Sequence, residues 1–397
     1  MEIVKLSDLC DLQNGYAFKS NDYIDESKTL NCRMSNIRPD GSFDILYSAK
    51  YLPDEYAEKY KEYLLEDGDL IIAMTDMAGD PKILGVPTVV DTKGYKLLLN
   101  QRVGKLKLLK EVDIQYLKYA LLCNKSRQYL KRFAGGGVQL NVSKKDILST
   151  PILLRDINEQ KQISEILDKV LDIISMRKQQ LAELDELIKS RFIELFGDPM
   201  CNSKGWTVYK LGDVCVVNPK KAELGNVEDE FEVSFVPMPL VSEKGDIDTT
   251  DIRMYGDVKK GFTYFREDDV LFAKITPCME NGKGAVAIGL KNKVGFGSTE
   301  FHVLRPKLQY VNSQWVYTLT TFAPFRKEAE KKMTGSAGQK RVPASFLDSF
   351  KVGVPPIEIQ NQFATFVQQL DKQKLVLQQS LAEMEELFNS LMQQVFH

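Results

Sequence analysis

Histidine is almost missing from this sequence: of 397 residues, only His302 and His397 carry an imidazole. Ser–His–Asp, Cys–His and histidine–metal chemistries therefore have little material to work with. His302, inside the apolar run Phe301-His302-Val303-Leu304, reads as structural. Cysteine is sparse and scattered, at positions 10, 32, 123, 201, 215 and 278, with no C-x-x-C pair. Zinc and thioredoxin-like readings lose their basis, and reduced, mostly buried thiols are expected. No apolar run of roughly eighteen residues occurs, so no membrane-spanning helix is expected. The opening MEIVKLSDLCDL lacks a basic segment leading into an apolar one. No secretory signal is expected, and the cytoplasm is the expected location.

Motifs of nucleotide and methyl-transfer enzymes are lacking too. There is no G-x-x-x-x-G-K-[ST] loop, so no ATP motor is expected. Gly295-Phe296-Gly297 is too short for a nucleotide fingerprint, and neither Asn-Pro-Pro-Tyr nor Asp-Pro-Pro-Tyr occurs. Pro53-Asp54 has no convincing Glu-x-Lys partner for a nuclease. The formal net charge is only −2, so a nucleic-acid footprint must be local or shared with a partner. With 43 % hydrophobic and 27 % charged residues, the composition is that of a globular protein of two or three domains.

What is present is a repeat with a period near 200 residues. Lys5-Leu6-x-Asp8-Leu9-Cys10 matches Lys210-Leu211-x-Asp213-Val214-Cys215. The block Asp69-Leu70-Ile71-Ile72-Ala73 matches Asp269-Val270-Leu271-Phe272-Ala273. Gln139-x-x-Val142 matches Gln339-x-x-Val342, and Gln160-x-Gln162-Ile163 matches Gln360-x-Gln362-Phe363. The order is the same in both halves and the offset stays between 200 and 205. Each repeat opens on short apolar runs behind acidic turns, which predict buried strands, with helical stretches near 113–132 and 312–332. The expected class is α+β, with a mixed or antiparallel sheet and short helices in each of two similar heads.

Each repeat closes on a long helix. Leu167, Ile174, Leu181, Ile188 and Leu195 recur every seven residues, with Ile163, Val170 and Leu184 beside them. In the second repeat Phe363, Leu370, Leu377, Met384 and Leu391 form one line, and Val367, Leu381, Phe388 and Val395 the other. Neither stretch contains proline or glycine, which argues for a coiled coil rather than a helix folded back on its own head. Arg177, Arg191 and Lys374 interrupt the lines; their stems can lie along a seam with the charge in water. The short linker Gly197-Asp198-Pro199 to Gly205 makes an antiparallel pair, with a pseudo-two-fold relation between heads, the simplest arrangement.

The heads carry two candidate nucleic-acid elements. One is a basic stretch around a glycine loop: Lys125, Arg127, Lys131, Arg132, Lys144 and Lys145 flank Gly135-Gly136-Gly137. In the second head, Arg326, Lys327, Lys331, Lys332, Lys340 and Arg341 flank Gly335-Ser336-Ala337-Gly338-Gln339. Backbone N–H groups and cations there suit phosphates, and the amides of Gln139, Asn141 and Gln339 suit base edges. The competing reading is a solvated helix and a mobile loop. The other element follows the central strand and includes Thr75 and Lys82 in the first head, Thr276, Asn281 and Lys283 in the second. Its flanking strands agree between heads while its own residues differ, as expected of like scaffolds reading different sequences; a structural hairpin tip is the alternative.

Two diverged heads, two long helices and the paired blocks Asn158-Glu159-Gln160-x-Gln162-Ile163 and Ile359-Gln360-x-Gln362-Phe363 resemble the specificity subunit of type I restriction–modification enzymes. Val354-Pro355-Pro356-Ile357-Glu358-x-Gln360 and Ile275-Thr276-Pro277-Cys278-Met279-Glu280-Asn281-Gly282-Lys283-Gly284 are similar to that family's phrasing. The likeness covers nearly the whole chain. The first half departs from it, with Thr150-Pro151-Ile152-Leu153-Leu154 in place of the Val-Pro-Pro-Ile phrase. The resemblance implies target-recognition domains at 1–154 and 209–354, spacer helices at 155–196 and 355–397, and a linker at 197–208. It implies double-stranded DNA with a bipartite site, Thr75, Lys82, Lys131, Arg132, Gln139, Asn141, Lys144, Thr276, Asn281, Lys283, Ser336, Gln339, Lys340 and Arg341 being the candidate DNA contacts. Two modification subunits would dock on the helices, where the seven-residue lines with Leu381 and Phe388 are the candidate partner positions, and a motor-nuclease subunit would join them. No metal, cofactor or catalytic residue would belong to this chain; S-adenosylmethionine, ATP and magnesium would sit in the partners.

Two other readings stay open. One is a self-sufficient nucleic-acid-modifying enzyme, for which Asp69 and Asp269 are the only suspected metal carboxylates, although strand-start acids are more often turn formers. The other is a protein-only coiled-coil scaffold.

Overall fold

The apolar runs Leu70–Ala73 and Val270–Ala273 become the central strands of their heads, with every side chain buried. Leu70 and Ile72 face the core that also receives the long helices, while Ile71 and Ala73 face a second core. Val270 and Phe272 separate from Leu271 and Ala273 in the same way. A strand covered on both faces has no reason to alternate apolar with polar residues, which explains the unbroken runs.

A computed structural model describes residues 2–336 and 338–397; Met1 and Ala337, the latter within the expected Gly/Ser loop, lie outside the described residues. The chain forms two units, residues up to 178 together with 379–397, and residues 179–378. In the first, Cys10–Asn14, Val103–Leu108, Leu70–Ala73 and Pro87–Val89 form an antiparallel sheet in that order. A second sheet orders Tyr51–Leu52, Thr29–Cys32, Lys96–Leu99 and Leu64–Leu65, its middle pair parallel. The other unit repeats the plan. Cys215–Val217, Phe301–Pro306, Val270–Ala273 and Gly284–Val286 form the antiparallel sheet. Ile252–Met254, Glu232–Val236, Val294–Gly297 and Thr263–Arg266 form the mixed one. The expected choice between mixed and antiparallel thus resolves into one four-stranded sheet of each kind per head.

The start and end of each head pair as two-stranded ribbons, Glu2–Lys5 with Pro151–Leu154 and Thr207–Lys210 with Lys351–Val354. The single helical stretch expected near each head's end is two helices. Ile114–Leu122 and Asn124–Lys131 break at Cys123, and Ser313–Thr321 and Ala323–Lys331 break at Phe322, both extended in ψ. Pro324, which has no N–H to donate, falls in a first turn where none is required.

The long helices are Ile157–Phe196 and Ile357–Phe396, 40 residues each. Within the first unit they run antiparallel: Arg155 donates to the Val395 carbonyl (3.0 Å), and Lys178 pairs with Glu385 (2.9 Å). Within the second unit Phe196 packs on Phe363, and Asp185 pairs with Lys374 (2.7 Å). Of the seven-residue lines, Leu167, Val170, Ile174, Phe363, Val367 and Leu370 are buried; Ile163, Leu181, Leu184, Ile188, Leu195, Leu377, Leu381, Met384, Phe388, Leu391 and Val395 are half-buried. Lys374 lies along the seam as its long stem allows, its ammonium on Asp185. The first helix stops where Gly197 turns left-handed (φ 74°) and Trp206 Nε1 donates to the Phe196 carbonyl at 2.9 Å. Among the described residues no helix is long and apolar enough to cross a membrane.

Candidate nucleic-acid interface

The first head brings both sequence candidates together. Thr75–Met77, from the segment after the central strand, pairs antiparallel with Gln139–Asn141, which follows the glycine triplet. Asn141 also exchanges backbone hydrogen bonds with Gly135 (2.9 and 3.2 Å), closing the loop on itself. Gly136 sits at φ 136°, and a Cβ there would lie 1.9 Å from the Gln139 carbonyl oxygen, so only glycine fits. Thr75 is buried and donates its hydroxyl to Asn141 Oδ1 at 2.9 Å. It braces the ribbon and has no surface to offer DNA, a correction to its expected role. Asp76, also buried, accepts the backbone N–H groups of Met77, Ile83 and Leu84, tying down residues 77–84. Arg127 holds that loop to the basic helix through the Lys82 carbonyl (2.7 Å).

Asn141, Lys131 and Arg132 are exposed and Gln139 is half-exposed. Lys82 is exposed in a surface pair with Asp80 (2.8 Å), an interaction that solvent screens heavily. Lys144 is set off from the ribbon in a pair with Asp11 (2.7 Å), whose carboxyl it holds below the usual range. The apolar side chains of Met77, Phe133 and Val138 stand exposed around the same loop, a surface that suits thymine methyl groups. Sequence reading missed them because isolated apolar residues in a loop carry no periodicity.

The second head builds the same assembly in reduced form. Arg341 bridges both Ile275 and Thr334, and Arg326 Nη1 donates to the Glu280 carbonyl (2.6 Å), as Arg127 does to Lys82. The expected contact residues divide here. Ser336, Gln339 and Lys340 are exposed. The others are engaged within the head. Thr276 donates to Glu280 (2.8 Å), Asn281 to Glu243 (2.8 Å), and Lys283 to the Met238 carbonyl (3.3 Å). Both oxygens of Glu300 take the Arg341 guanidinium, at 2.9 and 2.8 Å. In the free chain the segment after the second central strand is therefore a braced turn, as its hairpin reading allowed, and the exposed donors belong to the Ser336–Lys340 side.

His302 lies beneath this ribbon and is buried. Its Nε2 is 2.8 Å from the Val342 carbonyl, so that nitrogen carries the proton. Asn218 accepts the Val303 N–H on Oδ1 (3.0 Å), which leaves its Nδ2 to donate to His302 Nδ1 at 3.0 Å. Both ring nitrogens are used by the neutral imidazole, and burial pushes the pKa below the ordinary histidine value. The ring is structural, as expected.

Neither suspected metal carboxylate is free. Asp69 accepts the Glu66 N–H (2.8 Å) and pairs with Lys105. Asp269 accepts the Arg266 N–H (2.7 Å) and a two-toothed Arg305 contact at 2.7 Å on each oxygen. Both are turn formers with a cation on the open side. Among the described residues no group of three His, Cys, Asp or Glu side chains could hold a metal ion.

Comparison with known proteins agrees with this duplicated plan. The sequence profile of the type I restriction modification DNA specificity domain matches residues 1–186 and 203–386. The chain is 36 % identical over 218 residues to the type I restriction enzyme EcoAI specificity subunit of Escherichia coli. It is 38 % identical over 192 residues to the EcoEI specificity subunit of the same organism. These matches take in 52 % and 47 % of this chain, and 36 % and 32 % of those relatives' own lengths. Among solved structures, the type I restriction-modification S subunit from M. genitalium has a TM-score of 0.60 at 14 % identity, covering 100 % of this chain and 96 % of that one. A chain from work on complex assembly and conformational transition of the type I R-M system has a TM-score of 0.55 at 16 % identity, covering 100 % and 97 %. At such identities the structural likeness is one of fold.

Proposed function

Because the chain belongs to the type I restriction–modification DNA specificity family, we propose that it is the sequence-reading subunit of such a complex, each head recognising one half of a bipartite double-stranded DNA site. The observation that carries this is the recurrence of one assembly with different exposed side chains. A ribbon beside a Gly/Ser loop, braced by Arg127 or Arg326, presents Gln139, Asn141, Lys131 and Arg132 in the first head and Ser336, Gln339 and Lys340 in the second. Cations and loop N–H groups position the phosphate backbone, and amides discriminate base edges.

The long helices set the gap between half-sites and dock two modification subunits. At about 1.5 Å per residue a 40-residue helix spans roughly 60 Å. The partners bind S-adenosylmethionine and methylate adenine, and a motor-nuclease subunit using ATP and magnesium joins for cleavage. This chain contributes recognition without a catalytic group, metal or cofactor, and works in the cytoplasm. With a net charge of −2, the chain by itself binds DNA weakly, and affinity and its salt dependence grow when partners complete the charged surface.

The test is methylome sequencing of cells carrying the chain with its modification subunits. Gln339→Ala with Lys340→Ala alters the second half-site and leaves the first intact. A change in both halves contradicts the two-head reading.

A further inference from the structure

Beside the second head's ribbon lies an open cleft of about 270 Å³, lined among others by Asn218, Lys221, Phe262, Lys274, Phe301 and His302. Lys274 follows the central strand directly. Its N–H donates to the Glu300 carbonyl (2.9 Å) and its own carbonyl accepts the Val342 N–H (2.9 Å). It is therefore stitched between the sheet and the ribbon, one residue before the Ile275 bridge to Arg341.

Its side chain is anomalous. Among the described residues, the Lys274 ammonium has neither a hydrogen-bond nor an ion-pair partner. The nearest acid, Glu300, gives both oxygens to Arg341. Burial pulls the Lys274 pKa below the ordinary lysine value, and the field of Glu300 offsets this only in part. The ammonium opens onto the cleft rather than being sealed in the core, and no side-chain contact among the described residues accounts for a lysine there.

The first head makes this plain. Met74 occupies the same backbone position, its N–H on the Arg102 carbonyl (3.0 Å) and its carbonyl taking the Val142 N–H (2.9 Å). Met74 is buried in the apolar core. Gly104, opposite Ile72, stands where His302 lies opposite Phe272. The shared scaffold thus accepts methionine at this position, and the second head carries a lysine over a polar cleft instead.

We propose that this cleft is a DNA subsite peculiar to the second head, in which Lys274 donates to an acceptor oxygen of the bound DNA. The proposal rests on the specificity-subunit reading and deepens it. The acceptor is an oxygen of the phosphate backbone or of a guanine edge, both of which suit a lysine donor. The exposed ring of Phe262 and Lys221, whose ammonium donates to the Lys259 carbonyl, edge the cleft, and the Asn218–His302 pair forms a neutral wall beside the Lys274 ammonium.

The experiment compares wild type with Lys274→Met, the first head's own residue, in complexes reconstituted with the modification subunits. The readouts are binding to the methylome-defined site across a salt series, and methylation of a randomised half-site library. Lys274→Gln is a second variant, with a neutral amide in case methionine disturbs packing. A phosphate contact predicts weakening of about tenfold on all sequences and a log–log salt slope smaller by about one. A base contact predicts relaxed preference, by about tenfold or more, at one base pair of the second half-site. In both cases the first half-site is unchanged and thermal stability is equal or higher. Unchanged affinity, slope and half-sites in both folded variants overturn the proposal, as does a change in the first half-site. A wild-type complex without sequence preference instead refutes the specificity reading itself.

Discussion

The side-chain carbonyl of Gln160 accepts the backbone N–H of Asp113 at 2.9 Å, while its amide donates to the Arg155 carbonyl at 2.8 Å. Asp113 caps the helix Ile114–Leu122 through the Tyr116 N–H. A glutamine one turn into the long helix thereby ties that helix to the head. Gln360 repeats the tie on Asn312 (3.0 Å), itself the cap of Ser313–Thr321, and on the Tyr310 and Pro355 carbonyls at 2.8 Å each.

Both glutamines are buried, so removing the amide strands at least one N–H and one carbonyl. Gln160→Leu is expected to destabilise its unit by roughly 2–3 kcal/mol. Urea unfolding followed by circular dichroism measures this, and Gln360→Leu should act on the other unit to a similar degree. A cost near zero for both would mean the tie is ornamental.

His302 predicts a pH dependence. Its folded pKa is lowered by burial, so the unfolded chain takes the proton first as pH falls. The stability held by the neutral ring is intact above the unfolded value of about 6.5 and is lost as pH drops below it. Wild type is expected to lose up to about 1.4 kcal/mol per pH unit more than His302→Gln between pH 6.5 and 5. Thermal melts of both proteins across that range check the sign.

Gly136→Ala strains the first head's loop, since the new methyl meets the Gln139 carbonyl oxygen. The strain is of order 1–3 kcal/mol. Recognition of the first half-site is expected to weaken at least tenfold, with the second half-site unaffected. Methylation of libraries randomised in one half at a time separates the two.

The helices make a prediction about the gap. Adding one heptad to each long helix, at matched points, preserves the seam because the two run antiparallel within each unit. The added length is about 10 Å, or about three base pairs at roughly 3.4 Å each. The half-site sequences should stay the same and the gap between them should lengthen. An unchanged gap in the methylome would show that the helices do not measure distance.

Several features were readable in advance because they are local. The strands Leu70–Ala73 and Val270–Ala273 announce themselves as apolar runs, and the helices by seven-residue spacing without proline or glycine. The Gln160 and Gln360 blocks were visible as matched words, though not as ties. Pairing across the chain was not readable. Thr75 and Asn141 are 66 residues apart in sequence and in contact in the ribbon. Arg341 looked like a free base beside a flexible loop, yet its fork is occupied by Glu300, 41 residues earlier. Nothing local marks Lys274, which directly follows a matched apolar block. Aligning it with Met74 was the available signal: a charge in one repeat against an apolar residue in the other.

The amino-acid sequence alone determined the duplication, the two central strands, the two long helices and the scarcity of material for histidine chemistry, since periodicity, composition and self-similarity are properties of neighbouring or repeated residues. Only the tertiary structure decided which polar groups remain available. A hydrogen bond is spent on whatever partner the folded chain brings within about 3 Å, and that partner is usually distant in sequence. Among the described residues the side chains of Gln339, Lys340 and Lys274 lack such partners while those of Arg341, Asn281 and Thr276 have them, a distinction of three-dimensional register among residues of the same chemical kind.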